Sequence, residues 1–274
     1  MTTVGTLGGL VRYPVKSMQG QPLARGALLA DGLEGDRVLA FRDTTTGRIA
    51  SAKQPRPWRA LLDCHASGGG GEVLVRLPDG RELPADDAEV AAAIERLTGR
   101  PVVAERAADD TLGSYDSTWP EVEGVSLVGA LELPMALGTD AVRFVDVGAL
   151  HLMTSATLDR LRALAPEADV EVARFRPNLV IHTPDADASF LEDDWVGRVL
   201  RIGETAEVRL SSRAPRCVMT TVEQPGLSHE PAVLRAAATN RHEFPGGGTL
   251  ACAGAYAEVV TPGGIALGDP VVLR

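Results

Sequence analysis

The chain has 274 residues, of which 45% are hydrophobic and 23% charged, and its formal net charge is −10. This length supports a sizeable core and one large or two modest domains. The acidic balance argues against a general nucleic-acid role, because phosphate binding requires a basic surface. No apolar run approaches the ~20 residues that span a bilayer, and the first residues lack a basic, apolar leader. We therefore expect a soluble, cytoplasmic protein with no nucleic-acid or membrane partner.

The basic residues and the cysteines are both unusual. Of 27 basic residues only Lys16 and Lys53 are lysines, and composition bias in the source genome explains most of this excess of arginine. Even so, the planar guanidinium suits phosphate and carboxylate recognition. The three cysteines, Cys64, Cys217 and Cys252, are far apart and form no Cys-x-x-Cys pair. This argues against a disulfide framework, a zinc site or an iron–sulfur cluster. Cys64 and Cys252 have apolar neighbours and are predicted to be core residues.

The first part of the chain is predicted to be rich in strands with one helix. Strands are expected at residues 4–11, 26–30, 37–41, 58–65, 73–77, 81–83 and 101–105. Residues 67–71 are expected to be a flexible loop, and Pro78-Asp79-Gly80 a hairpin turn. The helix begins near Asp86 and Glu89, which form a capping pair, and Gly99 ends it.

Residues 107–140 show little periodicity, and Tyr115 and Trp119 are predicted to be exposed there. The segment is interpreted as a connection between two subdomains or as a lid over a site.

The second half again predicts strands with few helices. Strands are expected at residues 141–145, 149–153, 178–182, 198–202, 207–210, 250–260 and 271–274. One helix begins at Thr154 or Ser155 and ends before Pro166, and another covers residues 230–238. Many strands and few helices indicate a barrel or sandwich rather than a doubly wound sheet.

The segment from Ser211 to Val222 is the strongest candidate for chemistry. A basic turn leads to Cys217, which is expected at the first position of an apolar, β-branched strand. Arg213 and Arg216 provide a positive potential that favours a thiolate, the form that attacks electrophiles and binds soft metals. The alternative is that Cys217 is simply a small buried hydrophobic residue.

Other polar clusters are predicted at turns beside strands, where a β-barrel presents its mouth. They are Tyr13–Ser17 (YPVKS), Gly35-Asp36-Arg37, Arg174–Asn178 (RFRPN) and residues 213–217, together with Thr154-Ser155 at a helix start. Such groups form a phosphate cradle if they converge, and with a reactive thiol they suggest a phosphorylated, metal-carrying cofactor. Ordinary surface salt bridges are the alternative for each arginine. His151 and His182 are interpreted as core or strand-end residues.

These clusters resemble those of the MOSC-domain family, in the subset with an N-terminal β-barrel domain that includes the amidoxime-reducing component and bacterial N-hydroxylated-compound reductases. The matching motifs, in order, are YPVKS at 13–17, GDR at 35–37, RFRPNLVI at 174–181, RCVMTTV at 216–222 and GDPV at 268–271. The resemblance implies a mainly β fold with a few helices. It divides the chain into an N-terminal MOSC-associated β-barrel domain (1–107), a connecting segment (108–140) and a MOSC β-barrel domain (141–274).

The resemblance also implies a function. The protein would be a molybdenum-cofactor oxidoreductase that reduces N-hydroxylated or N-oxide-type small molecules. Cys217 would be the molybdenum ligand and catalytic residue. The other residues implied to bind the molybdopterin are Lys16, Ser17, Arg37, Thr154, Ser155, Arg176, Asn178, Arg213, Arg216 and Tyr256.

Relatives often carry an additional iron–sulfur domain that this chain lacks, so electrons are expected from a separate ferredoxin- or flavoprotein-type donor. Two alternatives remain. One is a sulfur-carrier or cofactor-handling protein with a persulfide on Cys217, and the other is a binding domain that no longer holds metal.

Overall fold

The computed structural model describes residues 2–69, 71–108, 112–184, 186–245 and 248–274. The first half of the chain contains strands β1 (Thr2–Arg12), β2 (Gln21–Pro22), β3 (Arg25–Leu29), β4 (Gly32–Leu33), β5 (Leu39–Asp43), β6 (His65–Gly69), β7 (Glu72–Arg76), β8 (Glu82–Pro84), β9 (Val102–Arg106), β10 (Ser114–Trp119) and β11 (Gly129–Pro134), with helices α1 (Pro55–Trp58) and α2 (Ala88–Thr98). The second half contains strands β12 (Leu150–Thr154), β13 (Leu179–His182), β14 (Val199–Ile202), β15 (Ala206–Pro215), β16 (Arg241–Phe244), β17 (Gly248–Thr261), β18 (Gly263–Ala266) and β19 (Pro270–Leu273), with helices α3 (Ser155–Leu164) and α4 (Pro231–Ala237).

The largest sheet has nine strands, seven of which form a ring. Its pairings run β12–β13–β1–β19–β14–β15–β17 and return from β17 to β12, and β16 extends β17 on one side. Only β12–β13 is parallel. The ring encloses a core of aliphatic side chains such as Leu152, Ile181, Leu200 and Val208. Since β1 lies between β13 and β19, the first strand of the chain belongs to a ring whose other strands all come from the second half.

The ring is irregular, and the glycines of β1 show why. Register shifts interrupt the pairings β1–β13, β1–β19 and β15–β17. At one shift in β1, a Cβ on Gly5 would lie 2.0 Å from the carbonyl oxygen of His182, so only glycine allows this approach. The predicted mainly β class is confirmed, in the form of a ring of strands rather than a regular closed barrel.

Apart from β2, which pairs with β1 in the large sheet, the remaining strands of the first half form small separate sheets. They pair as β5–β9, β6–β7–β8, β10–β11 and β18–β3–β4, the last of which joins the two halves of the chain. Helix α2 packs Val90 and Ile94 into a second core. Asp87, rather than the predicted Asp86, caps this helix by accepting the Glu89 N–H. Gly99 ends the helix in the left-handed conformation at φ 70°.

Several local predictions were wrong. The predicted strand at 58–65 is instead the end of α1 followed by a 3-10 turn at Arg59–Asp63, because Pro55 and Pro57 favour a helix start. Residues 141–145 form no strand. The loop predicted at 67–71 belongs to the β6–β7 hairpin, apart from Gly70, which lies outside the described residues.

In the segment at 107–140, the predicted exposure of the two aromatic residues was wrong. Outside residues 109–111, which the structure does not describe, it contains the β10–β11 hairpin. Tyr115 and Trp119 are buried in it rather than exposed. The three-part division of the chain stays a prediction. No helix in the described part of the chain is long and apolar enough to cross a membrane.

Candidate functional site

Loops that follow or precede the ring strands surround one cavity of about 750 Å³, including its open mouth. Of the residues predicted to bind a cofactor, those that line it are Lys16, Ser17, Arg37, Arg176, Asn178, Arg216, Cys217 and Tyr256. They come from the loop after β1, the turn after β4, the entry to β13, the end of β15 and the middle of β17. The structure therefore brings together segments as far apart in sequence as residues 16 and 256.

Three predicted residues lie outside this cavity. Thr154 accepts the Thr157 N–H as the cap of α3, and its own N–H is bonded to the buried Glu192. The Ser155 hydroxyl bonds to Thr183, with their oxygens 3.0 Å apart. Arg213 is directed toward Asp193, with Nε 3.3 Å from its carboxylate. Their roles toward a cofactor stay predictions.

Residues with an unusual, left-handed backbone conformation cluster at the cavity. In the described chain only four residues other than glycine have positive φ, and three of them, Ser17 (66°), Arg37 (48°) and Arg176 (56°), line the cavity. The left-handed region is unfavourable for side chains with a Cβ, and such strain persists only where the surroundings enforce it. These three side chains are therefore held in place by backbone turns that the sequence would not otherwise favour.

Arg37 is anchored from two sides. Its Nη1 pairs with the fully buried Asp36 and donates to Oδ1 of Asn178 at 3.1 Å. Asp36 also accepts the Tyr13 N–H at 2.7 Å, and Nδ2 of Asn178 donates to the Val11 carbonyl at 3.1 Å. Burial alone would lower the pKa of Arg37, but the Asp36 carboxylate raises it above its ordinary value. The hydrogen bond between Arg37 and Asn178 thus joins the GDR motif to the RFRPN motif.

Arg176 is a buried cation with unused hydrogen-bonding capacity. Its guanidinium carbon lies 4.2 Å from the Tyr13 ring centroid, and the same ring faces Arg37 at 4.9 Å. Burial lowers the pKa of Arg176 to about 10. Its Nη1 is buried and has no hydrogen-bond partner among the described residues. An orphaned buried donor is costly, so this atom indicates a missing acceptor.

The chain's only two lysines meet at one carboxylate. Lys16 Nζ pairs with Oδ1 of Asp146, and Lys53 Nζ lies 2.9 Å from Oδ2. Both ammonium groups face the Tyr115 ring, at 4.7 Å and 5.6 Å from its centroid. Burial would raise the pKa of Asp146, but the two lysines hold it well below its ordinary value.

The two lysines shift in opposite directions although they share this partner. Burial lowers the pKa of Lys16 to about 8, and the nearby charges of Lys53 and Arg37 act in the same direction. Burial also disfavours the charge on Lys53, but Asp146, Tyr115 and Cys217 together raise its pKa well above the ordinary value. Lys53 is therefore the firmly charged member of the pair.

Arg216 fixes the start of the Cys217 turn. Its Nε donates to the Ala253 carbonyl at 2.8 Å, and its Nη2 lies 2.5 Å from Nε2 of His151. Burial, followed by the charges of Arg216 and Arg37, lowers the pKa of His151 well below its ordinary value, so this ring is neutral. Sequence reasoning assigned His151 to the core and missed its place in the cavity wall.

Cys217 is buried and begins a 3-10 turn, Val218–Thr221, rather than the predicted strand. The turn is closed by the Thr220 hydroxyl, which donates to the Cys217 carbonyl at 3.2 Å. On its other side Cys217 shares an apolar cluster with Trp119 and Leu250. The thiol therefore lies between a polar cavity and an apolar wall.

Sequence reasoning also missed Lys53 and Asp146. One signal for Lys53 was available, because lysine is rare in this sequence. The chain has two lysines, Lys16 and Lys53, and both line the cavity. No local pattern marked Asp146, because its partners are far away in the chain.

The charge of the cavity defines the ligand that it fits. Six basic side chains line it, and Asp146 is the only carboxylate among the described lining residues; the basic residues are Lys16, Arg37, Lys53, Arg174, Arg176 and Arg216. Buried cations in excess require anions, and a guanidinium binds phosphate or carboxylate through paired N–H groups. Together with one thiol, the donor set fits an anionic, phosphate-bearing ligand that carries a soft metal.

The second half of the chain resembles a known domain. The family model of the MOSC domain matches residues 139–272. The second half of the chain is therefore identified as a MOSC domain.

Its curated relatives are distant. The mitochondrial amidoxime reducing component 2 of Macaca fascicularis is 26% identical over 237 residues, which cover 80% of this chain and 67% of that protein. The mitochondrial amidoxime-reducing component 1 of Mus musculus is 24% identical, with 98% of this chain and 82% of that protein covered. Among solved structures, the YUAD protein from Bacillus subtilis is 11% identical, with a TM-score of 0.47 over 98% of this chain and 94% of that one.

Proposed function

We propose that this protein binds a molybdenum–molybdopterin cofactor and reduces N-hydroxylated or N-oxide-type small molecules with electrons from a separate donor protein. The observation that carries the proposal is the convergence, in one cavity, of six buried or half-buried cations and a single thiol. The names of the relatives support the substrate class, since they are amidoxime-reducing components. The donor is proposed to be of ferredoxin or flavoprotein type.

The residues divide into those that would hold the cofactor's anionic part and the one that would hold its metal. Arg176 offers the orphaned Nη1, and Arg37, fixed by Asp36 and Asn178, lies on the same Tyr13 ring. These groups would bind the phosphate. Ser17, Arg216 and Tyr256 also line the cavity and would contact the pterin.

Cys217 would be the protein ligand of the metal, because a thiolate binds soft metals and no other cysteine of the described chain lines the cavity. When bound, the molybdenum centre would supply the oxygen-removing redox chemistry. The protein's own contribution is to orient the substrate, exclude water and provide fixed charges.

The test is to express the chain in a host that makes the cofactor and to measure molybdenum and pterin per chain. We expect close to one molybdenum per chain, and loss of it in Cys217→Ala but not in Cys64→Ala, a control buried in the separate core of the first half. The loaded protein, given a reduced donor protein, should convert an amidoxime to the amidine. Molybdenum far below one per chain, and equal in both variants, would contradict the proposal.

The same preparations distinguish the proposed reductase from its alternative. If Cys217 carried a sulfur released by cyanide and the protein reduced no N-hydroxylated compound, it would be a sulfur-carrier or cofactor-handling protein instead.

A further inference from the structure

We propose that the buried face of β10 binds the N-hydroxyl group of the substrate, with the indole N–H of Trp119 donating to its oxygen and the Ser117 hydroxyl as a second polar contact. This inference rests on the proposed function and names the substrate class that the site accepts. That class is an uncharged N-hydroxylated compound with an aromatic or aliphatic substituent.

Two unpartnered polar groups distinguish β10. In the described residues seven buried side-chain N or O atoms have no hydrogen-bond partner, and five of them belong to arginines, which carry five donors each. The other two are Oγ of Ser117 and Nε1 of Trp119. Ser117 is fully buried and Trp119 is 6% exposed. The indole has a single polar atom, so its whole hydrogen-bonding capacity is unused, which is costly unless a ligand supplies the acceptor.

Both groups lie on the same face of the strand. Side chains alternate along β10, and its buried residues are Tyr115, Ser117 and Trp119. At one end of this row the Tyr115 ring centroid lies 5.6 Å from Nζ of Lys53, which lines the cavity. At the other end Trp119 shares an apolar cluster with Cys217. The row therefore runs between two parts of the cavity wall.

Backbone contacts and packing join β10 to the Cys217 turn. The Thr118 N–H donates to the Lys53 carbonyl at 2.8 Å. The preceding residue, Ala52, is fully buried in a small cluster against which Met219 packs, two residues after Cys217. Residues 52 and 53 thus contact the hairpin on one side and the turn that carries the thiol on the other.

Met219 is the flexible element between the cavity and the two donors. It lines the cavity, it is half-buried, and it packs against the cluster of Trp119 and Cys217. Nε1 of Trp119 and Oγ of Ser117 are closed to solvent, so a ligand reaches them when a neighbouring side chain moves. A methionine suits this role, because its unbranched, polarizable side chain adapts to irregular apolar shapes.

The surroundings of Trp119 determine which substrates fit. The side chains packed around its cluster are apolar, among them Leu127, Leu131 and Phe244. A single N–H donor in such surroundings binds a neutral oxygen and leaves apolar surface for a ring or alkyl group. A charged substituent would lose its hydration there without gaining a counter-charge. Uncharged N-hydroxylated compounds therefore fit best.

The indole signals report binding directly, because the chain has three tryptophans. Trp58 and Trp195 lie in two other cores and serve as internal references. The ¹⁵N-labelled protein, purified with its cofactor and kept without electron donor, should show a shift of the Trp119 indole N–H when N-phenylhydroxylamine is added without air. Aniline, which is also neutral at pH 7 but lacks the oxygen, should shift this signal much less. Trp119→Phe assigns the signal.

Variants separate the N–H from the ring. Trp119→Phe keeps an aromatic side chain but removes the donor, so affinity for N-phenylhydroxylamine should fall about two- to tenfold while affinity for aniline changes less than about twofold. Ser117→Ala should act in the same direction. Thr118→Val, the matched control on the opposite face of the strand, should leave both affinities unchanged. In turnover the losses should appear in KM at equal molybdenum content.

The possible failures are distinguishable. A Trp119 signal that does not move well above KM, equal shifts with both compounds, or a Trp119→Phe variant with wild-type affinity and KM would each overturn this binding position while leaving the reductase function intact. A cofactor-loaded protein that reduces no N-hydroxylated compound would refute the proposed function. An oxygen-dependent Trp119 shift in that same protein would still support the binding position, because the shift requires no turnover.

Discussion

Nη2 of Arg216 lies 2.5 Å from Nε2 of His151, and both side chains are buried in the wall of the cavity. The guanidinium always carries its protons, so the imidazole must be neutral and must accept at Nε2. Protonation of His151 would bury two like charges in contact. This one contact therefore couples the start of the Cys217 turn to the pH of the medium.

The first prediction is that His151 destabilises the fold in acid. Its folded pKa is held well below the ordinary 6.5, whereas the unfolded chain takes up a proton near 6.5. The unfolded state thus binds more protons as pH falls below this value, and the free energy of unfolding should decrease by about 1.4 kcal/mol per pH unit from this group.

Urea unfolding of the metal-free protein between pH 7 and pH 5 measures this slope. His151→Gln keeps an acceptor for Arg216 but cannot titrate, so its slope should be shallower than that of the wild type by about 1 kcal/mol per pH unit averaged over this range, approaching the full 1.4 kcal/mol at the acid end. His229→Gln, at an exposed position, should keep the wild-type slope. Equal slopes in all three proteins would show that His151 does not carry this dependence.

The second prediction concerns the buried pair of Asp36 and Arg37. Asp36→Asn keeps an acceptor for the Tyr13 N–H but removes the charge that neutralises Arg37. Removing one partner of a buried ion pair typically costs about 3–5 kcal/mol. Urea unfolding at pH 7 should show a loss of this size. The exposed pair of Asp159 and Arg162 provides the comparison, because Asp159→Asn should cost at most about 1 kcal/mol. A similarly small loss at Asp36 would mean that Arg37 finds other partners.

Local sequence was sufficient for some of this structure. The end of α2 at Gly99 follows from backbone requirements that act within a few residues. The motifs that supply most of the cavity were also recognisable, because their polar residues are consecutive.

Local sequence could not supply the long-range contacts. Lys16 and Asp146 are 130 positions apart, and nothing near either residue indicates the other. The same applies to β1, whose partners β13 and β19 lie in the second half of the chain. The helix start at Thr154 and Ser155 shows the same limit. Its N–H groups look free in the sequence, but in the structure Glu192 accepts from the Thr154 N–H and the Thr183 hydroxyl accepts from the Ala156 N–H.

The third prediction tests whether the β10–β11 hairpin is a packed element or merely a connection. Trp119 is buried in the cluster that contains Cys217 and Leu250. Trp119→Ala should therefore destabilise the protein by about 3–5 kcal/mol, as expected for truncating a buried aromatic side chain. Val128→Ala, at a half-exposed position between the same strands, should change stability by less than about 0.5 kcal/mol. If thermal or urea unfolding showed equally small losses of stability for Trp119→Ala and Val128→Ala, the hairpin would behave as a linker.

The last prediction compares two arginines that sequence reasoning treated alike. Arg176 lines the cavity with a buried, unpartnered Nη1, whereas Arg213 lies outside the cavity and pairs with Asp193. A charge-assisted hydrogen bond to a cofactor anion is worth roughly 1.5–3 kcal/mol, which corresponds to about a tenfold to hundredfold loss of affinity on truncation. Arg176→Met should therefore retain much less pterin and molybdenum when the cofactor is limiting, and Arg213→Met should retain the wild-type amount.

Both proteins must be compared without cofactor first, since a bound ligand itself raises apparent stability. Arg176→Met should fold as the metal-free wild type does, because its methionine replaces a guanidinium that has lost hydration without gaining a full set of partners. Equal cofactor retention in the two variants would show that the anionic part of the cofactor is held elsewhere in the cavity. If only Arg213→Met lost pterin and molybdenum, the anionic part of the cofactor would lie outside the cavity, on the Asp193 side of β15.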